Sequence, residues 1–118
     1  DGLVLAGTGS GNYPTKIKDV LENYTGECTV VRASRVLEGA VFDSDVFDSK
    51  KVTIPAYKFS AQKARILLML ALNCTKNHET IKSFFQEYWK NFSCIVNNFV
   101  NAIIIYRLLQ DRRLLCSN

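Results

Sequence analysis

Apolar positions along this chain follow two alternating rhythms. Leu3-Val4-Leu5-Ala6 is apolar at every place, which predicts a short strand covered on both faces. It is closed by the glycine-dense turn Gly7-Thr8-Gly9-Ser10-Gly11-Asn12. Pro14 suits the first turn of a helix, where its missing N–H is no loss. Behind it Ile17, Val20, Leu21 and Tyr24 recur at i, i+3, i+4 and i+7, with Lys16, Lys18, Asp19 and Glu22 facing water, and Gly26 ends the run. Cys28-Thr29-Val30-Val31 predicts a second strand, closed by Arg32-Ala33-Ser34-Arg35. Residues 37–51 form a polar connection with Asp43, Asp45 and Asp48, and a short strand Val52-Thr53-Ile54 stops at Pro55.

Ser60 has the chemistry of an N-cap, and Asn77 that of another. The helix after Ser60 contains Ile66-Leu67-Leu68-Met69-Leu70-Ala71-Leu72, apolar all round, so burial on most sides is expected. The helix after Asn77 has the stripe Ile81, Phe84, Phe85 and Tyr88. The order strand, helix, strand, short strand, helix, helix implies an α/β fold: a flavodoxin-like parallel sheet layered with helices.

Both ends depart from this pattern. An apolar strand at residue 3 calls for neighbours on both edges and faces, so the fold is expected to be incomplete at the N-terminus, with a preceding portion missing. Residues 89–118 change character: Asn97, Asn98 and Asn101 interrupt Ile95, Val96, Phe99, Val100, Ile103, Ile104 and Leu108. On a helix the apolar set shares one face, so this C-terminal helical tail reads as amphipathic. Its longest apolar run, Ala102 to Tyr106, is far below the ~20 residues that span a bilayer, so a membrane role is disfavoured.

Composition narrows the function. The 118 residues, 47% hydrophobic and 22% charged, make a single globular domain or part of one. The net charge of +4 is mild, and no basic stripe interleaved with aromatics offers a nucleic-acid surface. Four cysteines (Cys28, Cys74, Cys94, Cys116) lie far apart with only one histidine, His78, so no metal set is proposed. Three N-x-S/T triplets, at Asn23, Asn73 and Asn91, matter only in a secretory compartment, and the compartment stays open between periplasmic or secreted and cytoplasmic.

The candidate chemistry lies at the glycine turn, between a strand and a helix N-terminus, where phosphate loops sit. It is neither a dinucleotide fingerprint, since Asn12 stands where the third glycine belongs, nor a P-loop, since no Gly-Lys-Ser/Thr follows. Thr8, Ser10 and Asn12 instead present polar groups at the carboxyl edge of a parallel strand, where open α/β sheets bind ligands. The spacing equally suits glycines that only make a tight turn. Asp43, Asp45 and Asp48 lack calcium-loop spacing and read on their own as a solvated loop.

Three blocks in order, Gly2-Leu3-Val4-Leu5-Ala6-Gly7-Thr8-Gly9-Ser10-Gly11-Asn12, Val30-Val31-Arg32-Ala33-Ser34-Arg35-Val36 and Gln62-Lys63-Ala64-Arg65-Ile66-Leu67-Leu68-Met69-Leu70-Ala71-Leu72, closely resemble the C-terminal domain of bacterial-type L-asparaginases. The closing phrase Ile81-Lys82-Ser83-Phe84-Phe85-Gln86-Glu87-Tyr88 resembles the family's usual end, so the resemblance covers residues 1–88, with 89–118 beyond it. It implies a hydrolase that converts L-asparagine to L-aspartate and ammonia, with weaker action on L-glutamine and no cofactor. In that family the threonine nucleophile sits in a larger N-terminal domain, within T-G-G-T and T-D-T type motifs absent from these residues. The small domain closes the active site of a neighbouring subunit in an intimate dimer, and two dimers make a homotetramer.

Carried over residue by residue, Asn12 matches the asparagine that reaches across that interface, supported by the turn Gly9, Ser10 and Gly11, with Ser10 replacing a second asparagine. Asp45 best matches the acidic residue that holds the substrate ammonium, an Asp where Glu is common in a loop one residue shorter, which leaves Asp43 as the other candidate. No catalytic nucleophile is assigned to this chain, so inactivity alone and a missing first βα unit are the expectations. The competing reading is a stand-alone flavodoxin-like ligand-binding or interaction module without catalysis.

Overall fold

A computed structural model of the chain describes residues 1–95, and the apolar stripe and basic residues expected beyond Ile95 lie outside them. Three parallel strands form one open sheet in the order β1-β2-β3, with β1 at Gly2–Gly7, β2 at Thr29–Ser34 and β3 at Thr53–Ser60. The helices are α1 (Thr15–Glu22), α2 (Ala61–Cys74) and α3 (His78–Ile95). This is the α/β parallel architecture expected from the alternation of patterns.

The central strand, β2, is buried along its whole length. Strand alternation divides its side chains between the two faces. Val31 and Ala33 join Ile54, Ala56, Ala64, Leu67, Leu68, Ala71, Ile81 and Phe85 in the main core beneath α2 and α3. Val4, Val31 and Ile54 lie in one row across the sheet. The alternate residues, Val30, Arg32 and Ser34, are also buried, so the second face is closed at its centre by other parts of the chain.

β1 is an edge strand: it pairs with β2 from Gly2 to Gly7, and Leu3 remains 47% exposed. Three local expectations are corrected. β2 runs on through Arg32-Ala33-Ser34, because those residues continue the period of two with a polar side chain at every second place. β3 passes through Pro55, which faces Arg32, and so does not end there. An edge strand tolerates proline because only one side of its backbone must donate to a neighbour. α2 is not buried all round: Ala64, Leu67, Leu68 and Ala71 face the sheet, while Ile66 and Met69 are more than half exposed.

The starts of α2 and α3 follow their capping chemistry. Ser60 Oγ accepts from the Lys63 N–H at 3.4 Å, and Asn77 Oδ1 from the Thr80 N–H at 3.0 Å. α3 continues unbroken through position 88, and Trp89 stacks on Tyr57 with ring centroids 5.1 Å apart. Past Pro55 the register slips, with Ser60 opposite Ser34, so residues 56–59 form a bulge in which Tyr57 takes a positive φ of 54°.

Candidate functional site

The parallel strands all end at one edge, and the chain leaves β1 and β2 there in two irregular segments: the turn 8–12 and the loop 35–52. The turn closes on itself, with Thr8 N–H donating to Asn12 O at 2.9 Å and Asn12 N–H to Thr8 O at 2.8 Å. Gly9 and Gly11 take positive φ values of 51° and 83°, a conformation that costs a side-chain-bearing residue. Gly11 is buried against neighbours: a Cβ there would stand 3.0 Å from Val41 and 3.1 Å from Arg32. Gly9, Ser10 and Asn12 are exposed, so the turn presents its polar tip outward and keeps its glycine base inward.

Two side chains of β2 hold the turn from beneath. Ser34 Oγ donates to Gly9 O at 2.5 Å, and Arg32 Nη1 donates to Ser10 O at 3.3 Å. Arg32 also reaches the loop, where Nη2 donates to Phe42 O at 2.7 Å. A second tie runs from Tyr13, whose hydroxyl donates to Phe47 O at 2.9 Å, and a third from Lys18 Nζ to Val46 O at 3.1 Å. The segment 42–47, which contains Asp43 and Asp45, is thereby fastened beside the turn that carries Asn12. Burial first, and the Asp48 carboxylate next, hold the Tyr13 phenol above its ordinary pKa of 10.0, with Arg32 pulling the other way.

The three aspartates have different surroundings. Asp48 is structural: Oδ1 accepts from the Val52 N–H at 2.9 Å, and Oδ2 accepts from the Thr53 N–H at 2.6 Å and hydroxyl at 2.5 Å, closing the loop onto β3. Asp43 is paired with Lys82 Nζ of α3 at 3.1 Å. Asp45 has its side chain 85% exposed, with Lys51 Nζ only at 3.9 Å. Next to Asp43, Phe42 meets Tyr57 and Trp89 edge-on at 6.0 and 5.9 Å. Burial, and then the Asp43 carboxylate, raise the Tyr57 phenol pKa, against the opposing influence of Lys82.

Sequence reasoning placed the turn and the acidic loop but missed Arg32, Ser34 and Tyr13, which fasten them. The available signal was the alternation Val31-Arg32-Ala33-Ser34: a strand with buried neighbours on one face had to aim Arg32 and Ser34 at the other. Among the described residues no cluster of His, Cys, Asp and Glu fits a metal ion, and no helix is long and apolar enough to cross a membrane. Cys28 is a half-buried thiol.

An open parallel sheet that gathers a polar glycine turn and an acidic loop at its carboxyl edge defines the class: an α/β domain of the open-sheet kind, whose ligand sites ordinarily lie at the strand ends. Comparison with known proteins specifies it further. Residues 1–85 match the glutaminase/asparaginase C-terminal domain, and the chain belongs to that family. It is 41% identical over 90 residues to L-asparaginase 2 of Escherichia coli, covering 75% of this chain and 26% of that protein. It is 39% identical over 89 residues to the probable periplasmic L-asparaginase of Haemophilus influenzae, covering 74% and 26%. The crystal structure of the probable cytoplasmic L-asparaginase from Campylobacter jejuni superposes with a TM-score of 0.59 at 37% identity, over 72% of this chain and 26% of that one. The chain thus spans about a quarter of the length of the curated relatives it matches.

Proposed function

We propose that this chain is the lid-forming part of an L-asparaginase, contributing Asn12 and Asp45 to the active site of a neighbouring subunit. The reaction is hydrolysis of the side-chain amide of L-asparagine: water adds, the C–N bond breaks, and aspartate and ammonia leave. L-glutamine, one carbon longer, is the secondary substrate. The threonine that attacks the amide belongs to a larger N-terminal domain, so this chain orients substrate and performs no bond chemistry. Subunits pair as intimate dimers, and two dimers make a tetramer. Relatives named periplasmic and cytoplasmic make either compartment compatible.

One observation carries this reading: the exposed tip of the turn and the exposed Asp45 are tied to a single sheet edge by Arg32, Tyr13 and Lys18. Asp45 is favoured over Asp43 because Lys82 already neutralises the latter at 3.1 Å, whereas Lys51 stands 3.9 Å from Asp45. A carboxylate that a partner subunit covers pairs strongly with a substrate ammonium, while an asparagine amide orients a neighbouring polar group without adding charge. Val36, Leu37, Phe42 and Val46, all about half exposed or more, supply apolar surface around the same edge for that partner.

The test is a chimera in which this chain replaces the matching segment of L-asparaginase 2 of E. coli. Ammonia release is expected from the chimera and not from residues 1–118 alone. Asp45→Asn should raise KM for L-asparagine by roughly one to two orders of magnitude, the scale of a lost charge-assisted contact. Asn12→Ala should lower kcat/KM. An assembled chimera in which both variants turn over like the parent would overturn the proposal.

A further inference from the structure

Arg32 is the largest fully buried side chain described in the molecule, at 1% exposure, and its ionic surroundings are unusual. Its guanidinium meets backbone carbonyls: Ser10 O in the turn through Nη1 and Phe42 O in the loop through Nη2. Nε is buried and has no hydrogen-bond partner among the described residues. A buried cation is costly, and an arginine that served stability alone is ordinarily set against a carboxylate. The planar fork of guanidinium donors, however, suits one task well: fixing two separate acceptors at a set spacing. Its stem is also the floor of the turn, since the Cβ position of Gly11 lies 3.1 Å from Arg32 Cγ.

We infer that Arg32 is a positioning residue that fixes the turn bearing Asn12 and the loop bearing Asp45 at the separation the shared active site requires. The inference rests on the proposed asparaginase role, and its structural half can be tested independently of it. Ser10 and Phe42 sit two and three residues from Asn12 and Asp45, so movement at either carbonyl is passed on within one turn of backbone. Phe42 is itself seated edge-on against Trp89, the only tryptophan of the chain, so that indole reports where the loop lies.

Three measurements decide it. In the unmodified 118-residue chain, the Arg32 Nη protons should exchange with solvent far more slowly than those of the exposed Arg35. Equal exchange would overturn the clamp without any variant having to fold. In Arg32→Lys, which keeps the charge but reaches one carbonyl instead of two, exchange of the hydrogen-bonded amides of Gly11 and Asn12 in the turn and of Asp48 in the loop should rise at least tenfold. Leu67 and Leu68 in α2 should stay unchanged, while Trp89 emission shifts. Loosening that is uniform across the core, or absent from the turn and loop, overturns the positioning role. In the chimera, Arg32→Lys should raise KM tenfold or more with a smaller change in kcat, and a KM within twofold of the parent also counts against it. If Asn12→Ala and Asp45→Asn leave turnover intact while Arg32→Lys still frees both segments, the site roles of Asn12 and Asp45 fail and the clamp survives; rigid segments beside sensitive variants sink the clamp alone.

Discussion

Gly11 shows how much of the edge depends on one residue. Its φ of 83° and the 3.0–3.1 Å approach of Val41 and Arg32 to any Cβ leave two independent obstacles to a side chain. Gly11→Ala should therefore cost about 1–3 kcal/mol and lower Tm by roughly 4–8 °C for each kcal/mol, which calorimetry can measure. Tyr13 offers a second readout, in pH. Its phenol pKa is raised in the folded chain above 10.0, so the folded state favours the protonated form. The associated stability is complete below pH 10, the unfolded value, and is lost as pH climbs through the raised folded one. Once ionised, Tyr13 no longer donates to Phe47 O, and the loop loses one of its ties. Alkaline titration followed by Trp89 fluorescence in a Tyr57→Phe background, which removes the phenol stacked on that indole, should show the loop change, and adding Tyr13→Phe should abolish that step. At this scale the sequence was partly legible. The run Gly7–Asn12 announced a turn by composition, whereas Arg32 was hidden because a charged residue after Val31 looks like the end of a strand. Only the tertiary cover over the second face of the sheet turns it into a buried donor.

The elements were more legible than their edges. Ser60 and Asn77 marked two helix starts correctly because a cap depends on local hydrogen bonds, which sequence neighbours supply. Pro55 misled, since whether proline ends a strand depends on whether a partner lies on its N–H side, a fact of topology. The all-apolar run in α2 misled for the same reason: a helix on one face of a three-stranded sheet has one side to bury, however apolar its other side is. The two sides of α2 should accordingly respond differently. Leu68→Ala opens the core and should cost about 2–5 kcal/mol, while Met69→Lys, on the 56% exposed side, should stay within about 0.5 kcal/mol. Urea denaturation of the two variants separates them. Equal losses would mean that Met69 is covered in solution by something else. Asp48 acts between elements, receiving Val52 and Thr53 donors at the entrance to β3. Asp48→Ala leaves two backbone N–H groups without that carboxylate and should cost about 2–3 kcal/mol.

Across the whole molecule, the main core is covered while apolar side chains beside the candidate site are not. The main core is closed by α2, α3 and the aromatic contact of Tyr57 with Trp89, a residue that the sequence pattern had assigned to the tail because the apolar stripe of α3 reads complete at Tyr88. At the carboxyl edge, by contrast, Leu37 is 99% exposed and Val46 74% exposed, next to the turn and loop that the buried arginine holds in place. Isolated exposed leucines need no explanation, but apolar residues grouped around a candidate site do. If that surface receives a second subunit, then assembly and catalysis are one equilibrium, because each active site takes groups from two chains. Leu37→Asp places a charge in the contact without touching Asn12, Asp45 or Arg32. In the chimera with E. coli L-asparaginase 2, its specific activity should fall on dilution over a concentration range in which the parent stays constant, and sedimentation should show subunits separating over that same range. Activity that tracks protein concentration linearly at every dilution, with dissociated subunits present, would mean that each chain holds a complete site of its own.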